Sequence, residues 1–406
     1  MPFTKLGLHP DILKVVKAMG FEQPTPIQAQ TIPLALKNID VMGCAQTGSG
    51  KTAAFVLPIL QRLITNRRPG LRALVLVPTR ELAAQVSGVF QECGHFLNIR
   101  VATIIGGVGY HGQRQSVSQG AQVMVATPGR LLDHLKQGNF RLEALEHLVL
   151  DEADRMLDMG FLPDIRAIIG RLPRERQTML FSATLSSEIE RVAAFTLRHP
   201  QRVEVSAPTA PAEGISQIVY PVTQDQKADL TVALLKAIQM RSVLIFCRTR
   251  HGADRLARRL SHLGFSPGVL HASKTQGQRT SVMDDFRRGK VKILVATDIA
   301  ARGIDVRQIS HVINYDVPRH PEDYVHRVGR TARAYSVGDA ITLMDMNELS
   351  FLKAIERFIG VIFPRAMLPG FNYRIPPQLE PPKPQVGTIR SGRRMYARSY
   401  KALFGL

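Results

Sequence analysis

Residues 45–52 read Ala45, Gln46, Thr47, Gly48, Ser49, Gly50, Lys51, Thr52, the makings of a phosphate cradle. In a Gly-rich turn the backbone N–H groups point at phosphate oxygens. Lys51 then supplies charge to the β- and γ-phosphates, and the Thr52 hydroxyl ligates Mg²⁺. Farther along, Leu148, Val149 and Leu150 deliver Asp151, Glu152, Ala153 and Asp154. A short apolar strand that ends in carboxylates places them where open α/β sheets bind ligands. Asp151 is suited to hold the Mg²⁺, through water, and Glu152 to orient or deprotonate an attacking water. A GK[ST] turn alone, or a strand ending in Asp-Glu alone, has ordinary structural explanations. Both together, in this order and each after an apolar strand, imply hydrolysis of a nucleoside triphosphate. Gly usually opens such a cradle and Ala45 replaces it here; small size is what the turn needs.

Positioning these groups calls for a sheet with helices on it. Apolar runs at 73–77, 101–105, 123–126, 148–150 and 178–181 read as strands. The stretch 55–63 reads as the helix that the cradle opens, and 81–90 has helical period. This alternation predicts a parallel sheet with crossover helices over residues 1–206. Residues 207–214, rich in Pro and small side chains, read as a linker. The alternation then restarts, with strands expected at 217–222, 243–246, 268–270, 292–295, 311–313 and 340–343. This second domain, 215–364, has no GK[ST] turn, so two α/β domains share one nucleotide site. From 365 to 406 Pro and Arg dominate, including Arg390, Arg393, Arg394 and Arg398, and the segment reads as a basic, disordered tail. Its aromatics, Phe371, Tyr373, Tyr396, Tyr400 and Phe404, would suit loose stacking on single-stranded RNA.

Composition bounds the remaining choices. At 406 residues the chain is too long for one ordinary core. Hydrophobic residues make up 45% and charged residues 21%, the balance of a globular protein. No apolar run approaches a membrane span, and residues 1–20 lack a signal-peptide layout. Cys44, Cys93 and Cys247 are too scattered for a disulfide framework or a metal cluster and fit a reducing cytoplasm. A net charge of +20 points to a polyanion partner, with solubility alone an alternative that charge does not exclude; no strongly amphipathic basic helix supports a membrane surface.

Further motifs follow in fixed order. The chain resembles the DEAD-box ATP-dependent RNA helicases of superfamily 2, with their tetrapeptide at Asp151, Glu152, Ala153, Asp154. Residues 45–52 are then its Walker A motif. Within the family its layout is similar to the bacterial RhlE-like group. The resemblance covers about residues 3 to 345 and implies two tandem RecA-like domains. Gly20, Phe21, Pro24, Thr25, Pro26, Ile27 and Gln28 are similar to the adenine-recognising Q motif, with Phe3 at its upstream aromatic position. An amide such as Gln28 matches the N6/N7 edge of adenine, so ATP is expected over GTP. Ser182, Ala183 and Thr184 resemble the motif that couples nucleotide state to closure through Asp154. His326, Arg327, Val328, Gly329, Arg330, Thr331, Ala332 and Arg333 resemble the arginine-finger motif, Ala332 departing from the commoner Gly. Arg330 and Arg333 would stabilise the transferring phosphoryl group, and Asp305 would contact the ribose.

The family's RNA contacts fall on Arg80, Gly106, Gly107, Thr127 and Arg130 in the first domain. In the second they fall on Gln276, Arg279, Thr297 and Gly303. They are backbone-directed, so little sequence preference is expected and 2′-hydroxyls would select RNA. The core reads as monomeric. RNA decay and ribosome assembly, with their protein partners, both remain open. Two rivals also stay open: an ATP-gated RNA clamp with little strand separation, and a DNA translocase. Gln28 and Asp154 weigh against the second.

Overall fold

The computed structural model describes residues 2–45, 48–205, 215–301, 309–331 and 338–374. Gln46, Thr47, the segment 207–214, Gly303, Asp305, Arg333 and residues 375–406 lie outside the described residues. The chain divides into two compact units, Met1–Ala207 and Pro208–Leu406.

The first unit holds one seven-stranded sheet. Its strands are β1 (Val41–Cys44), β2 (Ala73–Leu76), β3 (Val101–Ile104), β4 (Val123–Ala126), β5 (His147–Leu150), β6 (Gln177–Ser182) and β7 (Gln201–Glu204). Every pairing is parallel, in the order β3-β4-β2-β5-β6-β1-β7. Parallel strands buried on both faces need apolar side chains at successive positions, and the sequence supplies them. Val41, Val75, Val125, Val149 and Met179 join the core on one face; Met42, Leu74, Met124, Leu148 and Leu180 join the core on the other. Gly43 is fixed by this packing, since a Cβ there would stand 2.6 Å from the Phe181 ring.

The second unit repeats the plan with six parallel strands. They are β8 (Ile215–Pro221), β9 (Val243–Cys247), β10 (Pro267–Leu270), β11 (Ile293–Thr297), β12 (His311–Asn314) and β13 (Gly338–Met344), ordered β10-β11-β9-β12-β13-β8. Every strand expected from the apolar runs is present, with ends moved by a residue or two. β1 and β7 are additions to those runs.

One difference concerns residues 365–374, expected to belong to the tail. They pack on the second unit instead. Arg365 bridges to Val219, Ala366 and Leu368 join its core, and Phe371 and Tyr373 pack half-buried against it. Gln226 clasps the end of the segment, donating to the Asn372 carbonyl at 2.7 Å and accepting from the Arg374 N–H at 2.6 Å. Phe371 and Tyr373 face each other edge-on at 4.8 Å, both half-exposed.

Candidate functional site

In the first unit the cradle leaves the end of β1 and enters the helix Lys51–Thr65 at Gly50. Gly48 and Gly50 have φ of 87° and 91°, in the left-handed region. A Cβ at Gly50 would lie 2.5 Å from the Gln28 Nε2 and 3.0 Å from the Thr25 Oγ1. Ala45 is not among the positive-φ residues and is buried, so replacing Gly there costs the turn nothing. Lys51 is 6% exposed and its Nζ donates to the Ala45 carbonyl at 2.6 Å, across the mouth of the turn. Thr52 follows in the first helical turn, where backbone N–H groups lack intrahelical partners and favour anions.

Gln28 is buried against this cradle. Its Oε1 accepts from the Thr25 N–H and its Nε2 donates to the Gly50 carbonyl, each at 3.0 Å. The amide thus touches the cradle as well as standing at the expected adenine position. Phe3 is buried in the core, its ring stacked at 6.4 Å on Phe21, which stays half-exposed.

The acidic group follows β5. Asp151 is 3% exposed, and its N–H extends the ladder to the Leu76 carbonyl. Burial, aided by the neighbouring Glu152 and Asp154 charges, holds its carboxyl up at about 7 against the opposing pull of Lys51 and of the Glu152 N–H. Glu152 has φ of 53°, a left-handed conformation uncommon for a non-glycine residue. That turn directs the chain into the short helix Ala153–Asp158 and brings Arg155 back to Glu152, Nη1 to Oε2 at 3.0 Å. Asp154 accepts from the Ala183 and Thr184 N–H groups at 2.9 and 3.2 Å, and Ser182 Oγ accepts from the Thr184 N–H at 3.3 Å. The carboxylate of one motif is therefore tied directly to the backbone of the other.

Sheet order sorts the remaining residues. Asp151 to Asp154, Ser182 to Thr184 and the cradle follow β5, β6 and β1, which are neighbours. Arg80, Gly106 with Gly107, and Thr127 with Arg130 follow β2, β3 and β4, also neighbours, at the same strand ends. Thr79 caps the helix Arg80–His95, accepting from the Leu82 N–H at 3.2 Å. Gly107 has φ of 78°, and a Cβ there would collide with the Arg80 guanidinium.

The second unit shows the same sorting within itself. Thr297 ends β11, and Gln276 and Arg279 lie on the helix Gln276–Arg287 after β10. The helix Pro321–Val328 follows β12, and Arg330 comes just after it. Thr297, Arg279 and Arg330 are buried, whereas Gln276 is half-exposed.

Comparison with known proteins agrees with this arrangement. The DEAD/DEAH box helicase family matches residues 25–192, and the helicase conserved C-terminal domain matches residues 226–335. A DEAD-box ATP-dependent RNA helicase, CshA, of Geobacillus kaustophilus is 44% identical over 355 residues, 87% of this chain and 76% of the relative. Its counterpart in Bacillus subtilis is 42% identical, over 87% of this chain and 72% of that protein. The chain belongs to the DEAD-box ATP-dependent RNA helicases. Among solved structures, S. cerevisiae Dbp5 bound to RNA and ADP BeF3 matches this helicase with a TM-score of 0.83 and 33% identity, covering 90% of this chain and 95% of that one. Mss116p bound to ssRNA and AMP-PNP matches with a TM-score of 0.81 and 28% identity, over 89% and 78%. The two bacterial relatives bear the name CshA rather than RhlE.

Three features of the helicase site escape motif reading. Arg155 is 1% exposed and is the counter-charge to Glu152; its spacing of three residues along a helix was the available signal. Arg327, inside the arginine-finger motif, grips both Asp298 oxygens at 2.6 and 2.8 Å and donates to the Asn314 side chain and the Asp316 carbonyl. It anchors its helix to the end of β11. Gln113 is the third, and its bonds are described below.

A magnesium ion fits the first-unit donor set. Asp151 is a buried carboxylate held up near pH 7 beside Lys51, and a divalent cation would restore its charge. Among the described residues no cluster of three or more His, Cys, Asp or Glu could hold a metal by itself. Mg²⁺ suits such a site, being held by few side chains together with phosphates and water.

Proposed function

We propose that this helicase binds MgATP at the cradle, hydrolyses it when single-stranded RNA engages the β2–β3–β4 side, and uses the cycle to open short RNA duplexes. The observation that carries the reading is the sorting of the first sheet: nucleotide groups after β1, β5 and β6, RNA groups after β2, β3 and β4, with Asp154 bonded to Ala183 and Thr184.

Gly48, Ser49, Gly50 and Lys51 would hold the β- and γ-phosphates, with Gln46 and Thr47 completing the turn. Gln28 and Phe21 would select adenine, with Phe3, buried, backing the Phe21 ring from the core, and Asp305 would contact the ribose. Thr52 and, through water, Asp151 would hold Mg²⁺, which when bound neutralises charge on the β/γ oxygens. Glu152 would orient the attacking water and take its proton on a carboxylate oxygen, while Arg155 keeps the other oxygen in place. Arg330 and Arg333 would stabilise charge on the transferring phosphoryl; a guanidinium in this role is worth about 10³–10⁵ in rate. Arg330 is buried as described, so this step requires it to be drawn to the phosphate. Ser182, Thr184 and Asp154 would report the nucleotide state to the RNA side.

Arg80 and Arg130 would neutralise RNA phosphates, Gly106 and Gly107 permit close approach, and Thr127 binds a phosphate oxygen. Gln276, Arg279, Thr297 and Gly303 would extend the track on the second unit. Its setting would be the cytoplasm, with RNA as the principal partner.

Displacement of a short labelled strand from a tailed RNA duplex tests the reading. ATP-dependent displacement is the expected result, and it requires Lys51. RNA binding and ATP turnover with no displacement would favour the clamp. Equal stimulation of ATP hydrolysis by DNA and RNA would revive the translocase.

A further inference from the structure

We propose that Tyr110 is a positioning residue that holds Arg130 flat and pre-aimed at an RNA phosphate, forming with the loop 105–109 one rigid seat. The inference rests on the reading of Arg130 as a phosphate contact and adds how that contact is built.

The Arg130 guanidinium lies over the Tyr110 ring, Cζ at 3.6 Å from the centroid. Behind Tyr110 stands His134 at 4.9 Å, and behind that Phe140 at 4.5 Å, stacked at 27°. His134 is fully buried and Phe140 belongs to the core. The series Arg130, Tyr110, His134, Phe140 therefore runs from the surface to the packed interior, so the ring under the arginine cannot drift.

A second set of bonds fixes the edge of the guanidinium. Arg130 Nη2 donates to the Val108 carbonyl. That carbonyl is held by Gln113, which is 5% exposed. Its Nε2 donates to the Ile105, Val108 and Gly109 carbonyls at 3.1, 3.3 and 3.3 Å, and its Oε1 accepts from the Ile105 N–H at 3.2 Å. One amide thus ties down the whole loop. On the other flank of the loop, Arg80 packs so close to Gly106 that a Cβ there would be 3.2 Å from its Nη2. Two arginines border a loop with almost no freedom.

The physical gain is preorganisation. A solvated arginine loses rotamer entropy when fixed, and a stacked one has already lost it. Val108 and Gly109 are exposed beside it, leaving the approach to the seat open. The alternative, in which Arg130 only closes the loop on Val108, makes the opposite forecast for RNA.

The test measures binding of a fluorescently labelled single-stranded RNA to the full chain with a non-hydrolysable ATP analogue. Tyr110→Leu should raise the Kd about three- to thirty-fold, the range of a stacked cation, and Tyr110→Phe should restore most of it. Arg130→Ala should weaken binding at least as much, and the double variant no further. In the ATPase assay Y110L should raise the RNA concentration for half-maximal stimulation while kcat at saturating RNA stays within about two-fold. Should Y110L melt early, Tyr110→Met repeats the measurement. Wild-type affinity in Y110L with weakened binding in R130A would overturn the positioning role and leave the phosphate contact standing. Wild-type affinity in R130A would overturn both. A Y110F as weak as Y110L would overturn the stacking argument.

Discussion

Glu152 is held by a buried ion pair, and breaking such a pair from one side leaves the other charge stranded. Arg155 and Glu152 are both nearly inaccessible, and Asp151 and Asp154 stand next to them in the chain. Arg155→Met should therefore destabilise the first unit by about 3–5 kcal/mol, read from urea melts. A loss below about 1 kcal/mol would mean that the pair is screened by water. Gly50 offers a second test at this scale. Ala at that position must adopt φ near 91° and push against the Gln28 amide. Gly50→Ala should abolish ATP binding by titration calorimetry, whereas Ala45→Gly, at a position with no such demand, should leave it within about two-fold. Equal binding by both variants would remove the strain argument.

Among the elements, β5 carries a titratable group as well as the acidic motif. His147, its first residue, is buried with Nδ1 at 3.1 Å from the Gln177 Oε1. Burial lowers its pKa from 6.5 to about 4. The unfolded chain takes up this proton first, so the stability contribution is complete above about pH 6.5 and is lost as pH falls toward 4. His147→Gln should therefore cost less in acid: its deficit against wild type should shrink by roughly 2 kcal/mol between about pH 7.5 and about pH 5. A deficit independent of pH would show that His147 is not buried neutral. The same scale explains what the sequence disclosed. Apolar runs of four or more residues marked most strands, because parallel strands are buried on both faces. β1 was hidden by Gly43, which interrupts its short apolar run and which packing against Phe181 makes necessary. β7 was hidden because it pairs only with β1 and buries only Val203 of its four residues. Strand order was illegible, since crossovers separate neighbours in space by long stretches of chain. That the two proposed groups of motif residues follow two separate sets of neighbouring strands thus became visible only in the fold. Motif residues were legible because their chemistry demands fixed types at fixed spacing. Arg155, Gln113 and Tyr110 were not, since Arg, Gln and Tyr at those places are ordinary helix residues until their partners are known.

Over the whole molecule, packing among the described residues continues past the last strand through Arg374. Phe363 and Leu368 are buried, Arg365 pairs with Glu356 at 2.5 Å, and the Tyr373 hydroxyl accepts from the Leu368 N–H at 2.6 Å. A chain ending at 360 should lose several kcal/mol, at about 1.5–3 per buried large side chain, and melt earlier. A chain ending at 374 should melt as the full length does. Its RNA binding should weaken and become less salt-dependent, because Arg390, Arg393, Arg394 and Arg398 are removed. An unchanged salt slope would assign the excess charge to solubility alone. The account as a whole turns on Glu152 acting on water beside a phosphate cradle. Single-turnover ATP hydrolysis by Glu152→Gln at saturating RNA is the direct measurement. The predicted result is a fall of about 10²-fold or more with ATP affinity retained. Hydrolysis at the wild-type rate would contradict it.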